Sequence, residues 1–403
     1  MKVLHIQTSM TPAGNAAFRL HVAMRKAGIE SSVLTLLPTI KRNHVANLGF
    51  RPISVLSKFV NKIYMGNIMR SKLEDSYFFS PLPMFTFNDV LPYAREVDVI
   101  YLHWIAANFF SVRDIELLGR LNKPVIFFMH DMWTMTGGCH HSFSCDGYTD
   151  GCKHCRMFPT KYTIAEKENK KKTNLFHQYH NFHFVSPSMW LAACAKNSTI
   201  LKDKPIYSIP NIVDENIFKP IEKNVARDIL NLPKDKYIIA FGNQAGTGNQ
   251  FKGWNYLRDA INKLDLTDIQ LLVYGSDFNQ KIVDELKYPI QFLGSINDEY
   301  VLSLICNAAN LFVSPSLAES FGLTFLENIL CGTPVIGFNC TAVPEIVKSG
   351  VNGYLAKYKD ADDLAHGIRE VYNKMSIAKG REDYSSSEII NQHLSLINKV
   401  ITL

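Results

Sequence analysis

Residues 314–345 read SPSLAESFGLTFLENILCGTPVIGFNCTAVPE, and this stretch decides the fold of the second half of the chain. It begins at the end of an apolar run, Leu311–Ser314, which has the length and composition of a buried strand. A helix is predicted over 321–331, and a further short apolar strand over 334–338. Strand, helix and strand in this order indicate a parallel sheet with helices packed on its faces.

The start of this predicted helix has the properties of an anion-binding site. The first backbone N–H groups of a helix lack partners within it, and the helix dipole favours negative charge there. Gly322 has no Cβ, so a bound group can approach the backbone closely. The predicted phosphate site consists of Phe321, Gly322, Leu323 and Thr324.

Two carboxylates flank the predicted phosphate site. Glu319 lies in the loop before the helix, and Glu327 lies within the helix. One carboxylate beside a phosphate can accept hydrogen bonds from ribose hydroxyls while the other meets a sugar, which suits a nucleotide sugar. The alternative is that the two glutamates only keep the helix surface soluble.

The alternation of strands and helices extends over the rest of the chain. In the second half, further strands are predicted over 237–242, 270–275 and 290–293, and helices over 254–264 and 298–308. In the first half, strands are predicted over 3–7, 32–37, 97–103, 124–130 and 183–186, and a helix over 14–27 that ends at Gly28.

This pattern predicts an α/β protein with two Rossmann-like, doubly wound domains that face a central cleft. We expect an N-terminal domain over 1–207 and a C-terminal domain over 208–385. The Pro- and Asn-rich segment 206–220 is predicted to be the linker. A helical stretch over 386–403 is expected to cross back to the first domain.

Doubly wound domains bind ligands at the carboxyl ends of their strands, so the residues predicted there are site candidates. Gly14 and Asn15 lie in a small-residue turn after the first strand, although a tight turn alone also favours glycine. His130 ends the fourth predicted strand, where a purely structural role is the alternative. Gly275 ends another strand, and its backbone is a candidate contact for the nucleotide base.

The spacing of Glu319 and Glu327, with seven residues between them, resembles the E-x7-E motif of the family-4 retaining glycosyltransferases, which have the GT-B fold. The surrounding stretch is similar to that family's signature almost throughout. The turn Gly350–Tyr354 and the linker segment Ile209–Asp214 are also similar to the family. The stretch 242–250 departs from it, because it lacks the arginine that the family usually carries there.

The resemblance implies roles for individual residues of the nucleotide-sugar site. Glu319 is implied to be the catalytic carboxylate beside the donor sugar, and Glu327 to bind the ribose. Lys252 matches the family's basic residue on the donor diphosphate, and His130 the histidine near the transferred sugar. The turn with Gly14 is similar to the loop that borders the donor phosphates.

The resemblance thus implies a glycosyltransferase that uses a nucleoside-diphosphate sugar, in the manner of bacterial surface-polysaccharide enzymes of capsule, O-antigen or exopolysaccharide synthesis. The acceptor is expected to be a glycan or a lipid-linked sugar. No metal is expected at the donor site, since Asp360 and Asp362 are better explained by helix capping. The alternatives are a nucleotide-sugar hydrolase or epimerase of the same fold, and a zinc-containing nucleic-acid-binding protein, which leaves the donor residues unexplained.

Four closely spaced cysteines, Cys139, Cys145, Cys152 and Cys155, form a Cys-rich insertion over 139–155. The last two have the spacing of a zinc knuckle, and four thiolates would complete a tetrahedral structural zinc site. Thiols packed in a loop, and a redox or iron–sulfur role, are the alternatives. The other cysteines are expected in the core.

Charge and composition constrain the location of the protein and its partners. The chain has 403 residues, of which 47% are hydrophobic and 20% charged, as in soluble globular proteins. No apolar run reaches the length of a membrane span, so a cytoplasmic location is expected.

Residues 1–207 hold 25 Lys and Arg against 14 Asp and Glu, which favours contact with an anionic membrane at its inner face. A solvated surface without a partner is the alternative, and the basic run Lys170–Lys172 is expected to be a solvated helix face.

Overall fold

The computed structural model describes residues 1–9, 15–37, 42–49, 59, 78–82, 89–106, 109–159, 161–242, 250–380, 382 and 384–402. The described residues form two compact units. The first contains those up to Ile212 and those of the last helix from Glu388 onward, and the second contains Val213–Ser387. Each unit is built on one parallel sheet, which confirms the predicted fold class of two α/β domains.

The first unit contains a seven-stranded sheet. Its strands are β1 (Lys2–Gln7), β2 (Glu30–Thr35), β3 (Val45–Asn47), β4 (Val99–Leu102), β5 (Val125–Phe128), β6 (Phe182–Ser186) and β7 (Ile206–Ser208). They pair in parallel in the order β3-β2-β1-β4-β5-β6-β7. The order reverses between β1 and β4, so ligand-binding residues are expected at the carboxyl ends of these two strands.

The second unit contains a six-stranded sheet with the same winding. Its strands are β8 (Tyr237–Gly242), β9 (Ile269–Tyr274), β10 (Ile290–Phe292), β11 (Leu311–Ser314), β12 (Val335–Phe338) and β13 (Gly353–Ala356). They pair in parallel in the order β10-β9-β8-β11-β12-β13. The reversal lies between β8 and β11.

Helices cover both sheets. Those of the first unit are α1 (Ala16–Lys26), α2 (Leu91–Arg95), α3 (Val112–Gly119), α4 (Ile164–Gln178) and α5 (Met189–Asn197). Those of the second unit are α6 (Lys223–Ile229), α7 (Trp254–Asn262), α8 (Gln280–Asp284), α9 (Glu299–Ala308), α10 (Leu323–Leu330), α11 (Val343–Ile346) and α12 (Ala361–Lys374). The last helix, α13 (Ser386–Ile401), belongs to the first unit from Glu388 onward. None of the helices in the described part of the chain is both long and apolar enough to cross a bilayer.

The sequence explains these elements locally. Strands β4, β5 and β12 are apolar and buried along their whole length, because helices cover both faces of a parallel sheet. Helix α1 begins where the Asn15 side chain accepts a hydrogen bond from the Phe18 N–H at 3.1 Å. It ends before Gly28, whose φ of +82° suits the glycine that the sequence places there.

Helix α13 packs within the first unit from Glu388 onward. His393 is completely buried, and its Nδ1 lies 3.1 Å from the Tyr101 hydroxyl of β4. Further along the helix, the Lys399 amine lies 5.3 Å from the centre of the Tyr207 ring of β7. These contacts tie the last helix to the sheet of the first unit.

Two local predictions are wrong. Residues Ile206–Ser208, which we predicted as the start of the linker, form β7, because pairing with β6 fixes a three-residue strand that has no apolar pattern of its own. Lys172 is not solvated but 1% exposed, and its amine donates to the backbone oxygens of Trp133 and Thr136 at 2.5 and 3.2 Å. Burial lowers the pKa of Lys172 to about 8.

Candidate active site

The carboxyl ends of β8 and β11 position the candidate residues of the second unit. Strand β8 ends at Gly242 and β11 at Ser314. The turn Gln250–Lys252 comes after the first of these strands, and the loop that carries Glu319 comes after the second. The two segments therefore lie where a doubly wound sheet binds ligands.

Close contact between these two segments depends on Gly253. The Leu317 N–H donates to the Phe251 backbone oxygen at 2.7 Å. Gly253 has a φ of +76°, and a Cβ at this residue would lie 1.9 Å from the Pro315 backbone oxygen. Only glycine allows both this approach and this conformation. The contact brings the turn with Lys252 against the loop with Glu319.

Lys252 and Glu319 form an ion pair. Lys252 Nζ lies 2.6 Å from Glu319 Oε1, and the two side chains are 20% and 15% exposed. The pair is therefore partly buried but reachable from solvent. A ligand with a negatively charged group and hydroxyl groups can engage both side chains.

The beginning of α10 offers unpaired N–H groups close to this pair in the sequence. Gly322, with φ +102° and ψ +48°, occupies the N-cap position without a side-chain cap. The N–H groups of Leu323 and Thr324 have no hydrogen-bond partner among the residues that the structure describes. Phe321 and Gly322 are buried, whereas Leu323 and Thr324 are half-buried. The arrangement has the geometry of an anion site.

Thr341 holds the loop with Glu319 and was not found from the sequence. Its hydroxyl oxygen accepts a hydrogen bond from the Glu319 N–H at 2.9 Å, and the Ala342 N–H donates to the Glu319 backbone oxygen at 3.3 Å. Thr341 has a φ of +49°, which is rare for a β-branched residue and indicates local strain. No motif in the sequence marks this role.

Glu327 is placed near the end of β9. It is 2% exposed on α10. Burial raises the pKa of Tyr274 well above its usual value, and charge on Cys306 and Glu327 adds to the effect, so Glu327 lies within electrostatic range of that ring. Gly275 follows Tyr274 in the sequence, and its N–H donates to the Gly294 backbone oxygen at 2.7 Å.

Of the candidates from the first half, Asn15 and His130 lie in the first unit. Gly14 is outside the described residues, and Asn15 caps α1. His130 lies two residues beyond β5, with its Nε2 2.8 Å from Nδ1 of His103. Burial lowers the pKa of His130 to about 4, against an opposing effect of Asp131. The structure thus brings Lys252 to Glu319 in one unit and His130 to His103 in the other.

Asp360 and Asp362 have the structural role that the sequence predicts. Asp360 Oδ1 accepts hydrogen bonds from the Asp362 and Asp363 N–H groups, both at 2.9 Å, at the start of α12. Asp362 pairs with Lys263 at 2.6 Å. Helix capping therefore accounts for this sequence pattern.

The predicted zinc site is not supported. Among the described residues, no group of three or more His, Cys, Asp or Glu side chains is arranged to hold a metal ion. The Cys152 sulfur instead accepts the Gly137 N–H at 3.2 Å, and Cys139 contacts the Met157 sulfur at 3.6 Å. Burial raises the pKa of Cys152 to about 11 and that of Cys139 well above its usual value, and the neighbouring cysteines add to both shifts. The four cysteines of the insertion are all free.

Part of the second unit is similar to a known family of sequences. Residues 222–386 match the model of the family Glycosyl transferases group 1. D-inositol 3-phosphate glycosyltransferase of Mycolicibacterium smegmatis is 32% identical over 180 residues, which cover 42% of this chain and 40% of that protein. A protein described as an uncharacterized 41.2 kDa protein in the cps region of Klebsiella pneumoniae is 25% identical over 221 residues, covering 53% and 60%. The chain therefore spans less than two thirds of the length of these relatives.

Solved structures show the same architecture over the whole chain. Sucrose-phosphate synthase from Thermosynechococcus elongatus is similar with a TM-score of 0.69 at 19% identity, covering 100% of this chain and 99% of that one. HepE of Anabaena, solved in complex with UDP-glucose, is similar with a TM-score of 0.67 at 16% identity, covering 99% and 100%. At these identities the likeness shows the fold. The chain therefore has the GT-B fold, and its residues 222–386 are similar to the group 1 glycosyl transferases.

Proposed function

We propose that the protein is a retaining glycosyltransferase that moves a sugar from a nucleoside-diphosphate sugar to an acceptor hydroxyl. One observation carries the proposal: Lys252 Nζ lies 2.6 Å from Glu319 Oε1. Glu319 lies three residues before Gly322, the N-cap of α10. A cation, a carboxylate and unpaired N–H groups are then available at the carboxyl ends of β8 and β11. This combination matches the charges and hydroxyls of a nucleotide sugar.

The diphosphate is proposed to bind at Lys252 and at the N–H groups of Leu323 and Thr324. Negative charge grows on the diphosphate as the glycosidic bond breaks. A fixed cation and a helix N-terminus stabilise this charge more strongly in the transition state than in the ground state. We propose that they take the role that a metal ion has in other transferases, so the donor site needs no metal.

The two carboxylates are proposed to bind the rest of the donor. Glu319 would face the transferred sugar, and Glu327, which is 2% exposed, would accept hydrogen bonds from the ribose. The backbone at Gly275 would border the base. Because HepE was solved with UDP-glucose, UDP is the first nucleotide to test. His130 is proposed as the catalytic residue of the first unit.

The acceptor is proposed to be a glycan or a lipid-linked sugar in cell-surface polysaccharide synthesis. The similarity to a protein of the Klebsiella pneumoniae cps region supports this role. The excess of Lys and Arg over Asp and Glu in residues 1–207 suits contact with anionic headgroups on the inner face of the membrane. We propose no nucleic-acid partner.

A thermal-shift screen with UDP, GDP, ADP and CMP tests the donor site. A nucleotide at ten times its dissociation constant stabilises the protein by about 1.4 kcal/mol, which is readily measured. We expect one nucleoside diphosphate to raise the melting temperature, and Lys252→Met to remove the effect. Lys263→Met is the matched control, because it breaks a 2.6 Å ion pair with Asp362 that lies outside the proposed site. A response that is lost equally in both variants contradicts the assignment.

A turnover assay separates transfer from hydrolysis. With the nucleotide sugar identified by the screen, nucleotide release should depend on an added acceptor, and NMR of the product should show the anomeric configuration of the donor. Release at the same rate without acceptor would instead favour a hydrolase. An inverted product would contradict the proposed retention.

A further inference from the structure

Three histidine rings form a hydrogen-bonded chain through the sheet of the first unit. His5 lies in β1, His103 directly follows β4, and His130 lies two residues beyond β5. His5 Nδ1 is 2.9 Å from His103 Nε2, and His103 Nδ1 is 2.8 Å from His130 Nε2. Ring centroids are 5.2 and 5.1 Å apart, with interplanar angles of 26° and 19°. The chain runs across three adjacent strands toward their carboxyl ends.

The three rings are neutral at physiological pH. His5 is 0% and His103 is 5% exposed. Burial lowers the pKa of both well below the usual value, and positive charge on neighbouring histidines, including His393, acts in the same direction. The pKa of His130 is lowered by burial to about 4, although Asp131 opposes this. A neutral imidazole has one N–H and one acceptor nitrogen, so both hydrogen bonds must run in the same direction along the chain.

The buried end of the chain selects that direction. Nε2 of His5 is buried and has no hydrogen-bond partner in the described part of the chain. Buried N–H groups without a partner are rarer in proteins than unsatisfied acceptors. A bare acceptor at His5 Nε2 puts the proton on Nδ1, which donates to His103. His103 then donates from Nδ1 to Nε2 of His130.

We propose that His5 and His103 are positioning residues that fix His130 as the Nδ1–H tautomer. His130 then presents a hydrogen-bond donor, not a proton acceptor, to an oxygen of the bound substrate, either a sugar hydroxyl or a phosphate oxygen. The ligand part of this inference rests on the proposed function, whereas the tautomer is a property of the free protein. Free histidine prefers the Nε2–H tautomer, so the Nδ1–H form of His130 is a specific signature of the chain.

NMR of the full-length protein with 15N-labelled histidine tests the tautomer. Two-bond correlations from the ring protons distinguish the two nitrogens, and His130→Asn assigns the resonance. We expect Nδ1–H at His130 in the wild type. His103→Phe should convert it to Nε2–H or to a mixture, because the donor to Nε2 is gone. His5→Phe should convert part of the His130 population to Nε2–H, since His103 remains but its Nε2 no longer accepts a hydrogen bond from His5.

His183→Phe is the matched control, because His183 is a buried histidine of the neighbouring strand β6. In the part of the chain that the structure describes, none of the hydrogen bonds and ring contacts of the three rings involves His183. We expect it to leave the His130 tautomer unchanged. Nε2–H at His130 in the wild type, or Nδ1–H that persists in both His103→Phe and His5→Phe, overturns the proposal. If His103→Phe does not fold, His5→Phe decides the question alone.

Steady-state kinetics connect the tautomer to function. Loss of one neutral hydrogen bond to substrate lowers kcat/KM by about 2- to 12-fold, and we expect this effect in His103→Phe but not in His183→Phe. An unchanged kcat/KM in a variant whose tautomer has switched overturns the donor role of His130. A protein without any transferase activity contradicts the proposed function and leaves the tautomer result to stand by itself.

Discussion

Breaking the Lys252–Glu319 ion pair should destabilise the second unit by an amount that its geometry bounds. The atoms are 2.6 Å apart, and the side chains are 20% and 15% exposed. Exposed pairs contribute about 0–1 kcal/mol, whereas losing one partner of a fully buried pair costs about 3–5 kcal/mol. Lys252→Met keeps the apolar stem and removes the cation that lies 2.6 Å from the Glu319 carboxylate. We therefore expect a loss of about 1.5–3 kcal/mol and a fall of about 3–12 °C in melting temperature.

A double-mutant cycle without nucleotide measures this coupling. Glu319→Gln and the double variant complete the cycle, and chemical denaturation gives the free energies of unfolding. We expect the double variant to be more stable than the sum of the single changes predicts, because the carboxylate that loses its cation is itself neutralised. Lys263→Met is the control, since its pair with Asp362 is 46% and 81% exposed and should change stability by about 0.5 kcal/mol at most. Additive single effects, within about 0.5 kcal/mol, refute the reasoning.

Three further outcomes follow from the structure. Gly253→Ala should lower the free energy of unfolding by more than about 2 kcal/mol in chemical denaturation, because its Cβ would lie 1.9 Å from the Pro315 oxygen. Gly350→Ala is the control: Gly350 has a φ of +77°, but no atom would lie within 4 Å of the new Cβ, so backbone strain should cost only about 1 kcal/mol. Equal losses in the two variants contradict this prediction. Because burial lowers the pKa of His393 to about 3, only the unfolded state takes up this proton as the pH falls below about 6.5. The free energy of unfolding should then fall by up to about 1.4 kcal/mol per pH unit through this residue, and denaturation at pH 7 and pH 5 should show a shallower dependence in His393→Phe than in the wild type. Nucleotide binding measured by calorimetry should be the same with and without EDTA, since we propose that Lys252 and backbone N–H groups take the place of a metal; loss of binding on chelation contradicts this.

The central strands could be predicted because their sequence carries the signal. Tyr237–Gly242 and Leu311–Ser314 are short apolar runs, and the structure has both strands with these bounds. The helix predicted over 321–331 is present as α10. Buried parallel strands must be apolar on both faces, so they stand out from the segments around them.

Three of the four outer strands of the described sheets could not be predicted in this way. Val45–Asn47, Ile206–Ser208 and Gly353–Ala356 are three or four residues long and only partly buried. Their pairing is decided by the neighbouring strand and not by their own composition. Gly353 illustrates this, because a Cβ there would lie 1.7 Å from the Val335 oxygen of β12.

The candidate site was predictable residue by residue but not as an arrangement. The contact between Lys252 and Glu319 joins residues 67 positions apart and depends on the fit of Gly253 against the next loop. The support from Thr341 leaves no mark in the sequence. The cysteine spacing predicted a zinc site, but among the described residues no group of three or more potential ligands is arranged to hold a metal ion.

We propose above that the second unit binds a nucleoside diphosphate through Lys252. Calorimetric titration of the wild type and Lys252→Met with UDP and with uridine tests it most directly, because the difference between the two ligands isolates the diphosphate. The account predicts that UDP binds more tightly than uridine to the wild type, and that the variant loses about 10- to 150-fold of this difference while its affinity for uridine is kept. Equal affinities of UDP and uridine for the wild type, or a full UDP preference in the variant, would contradict the account.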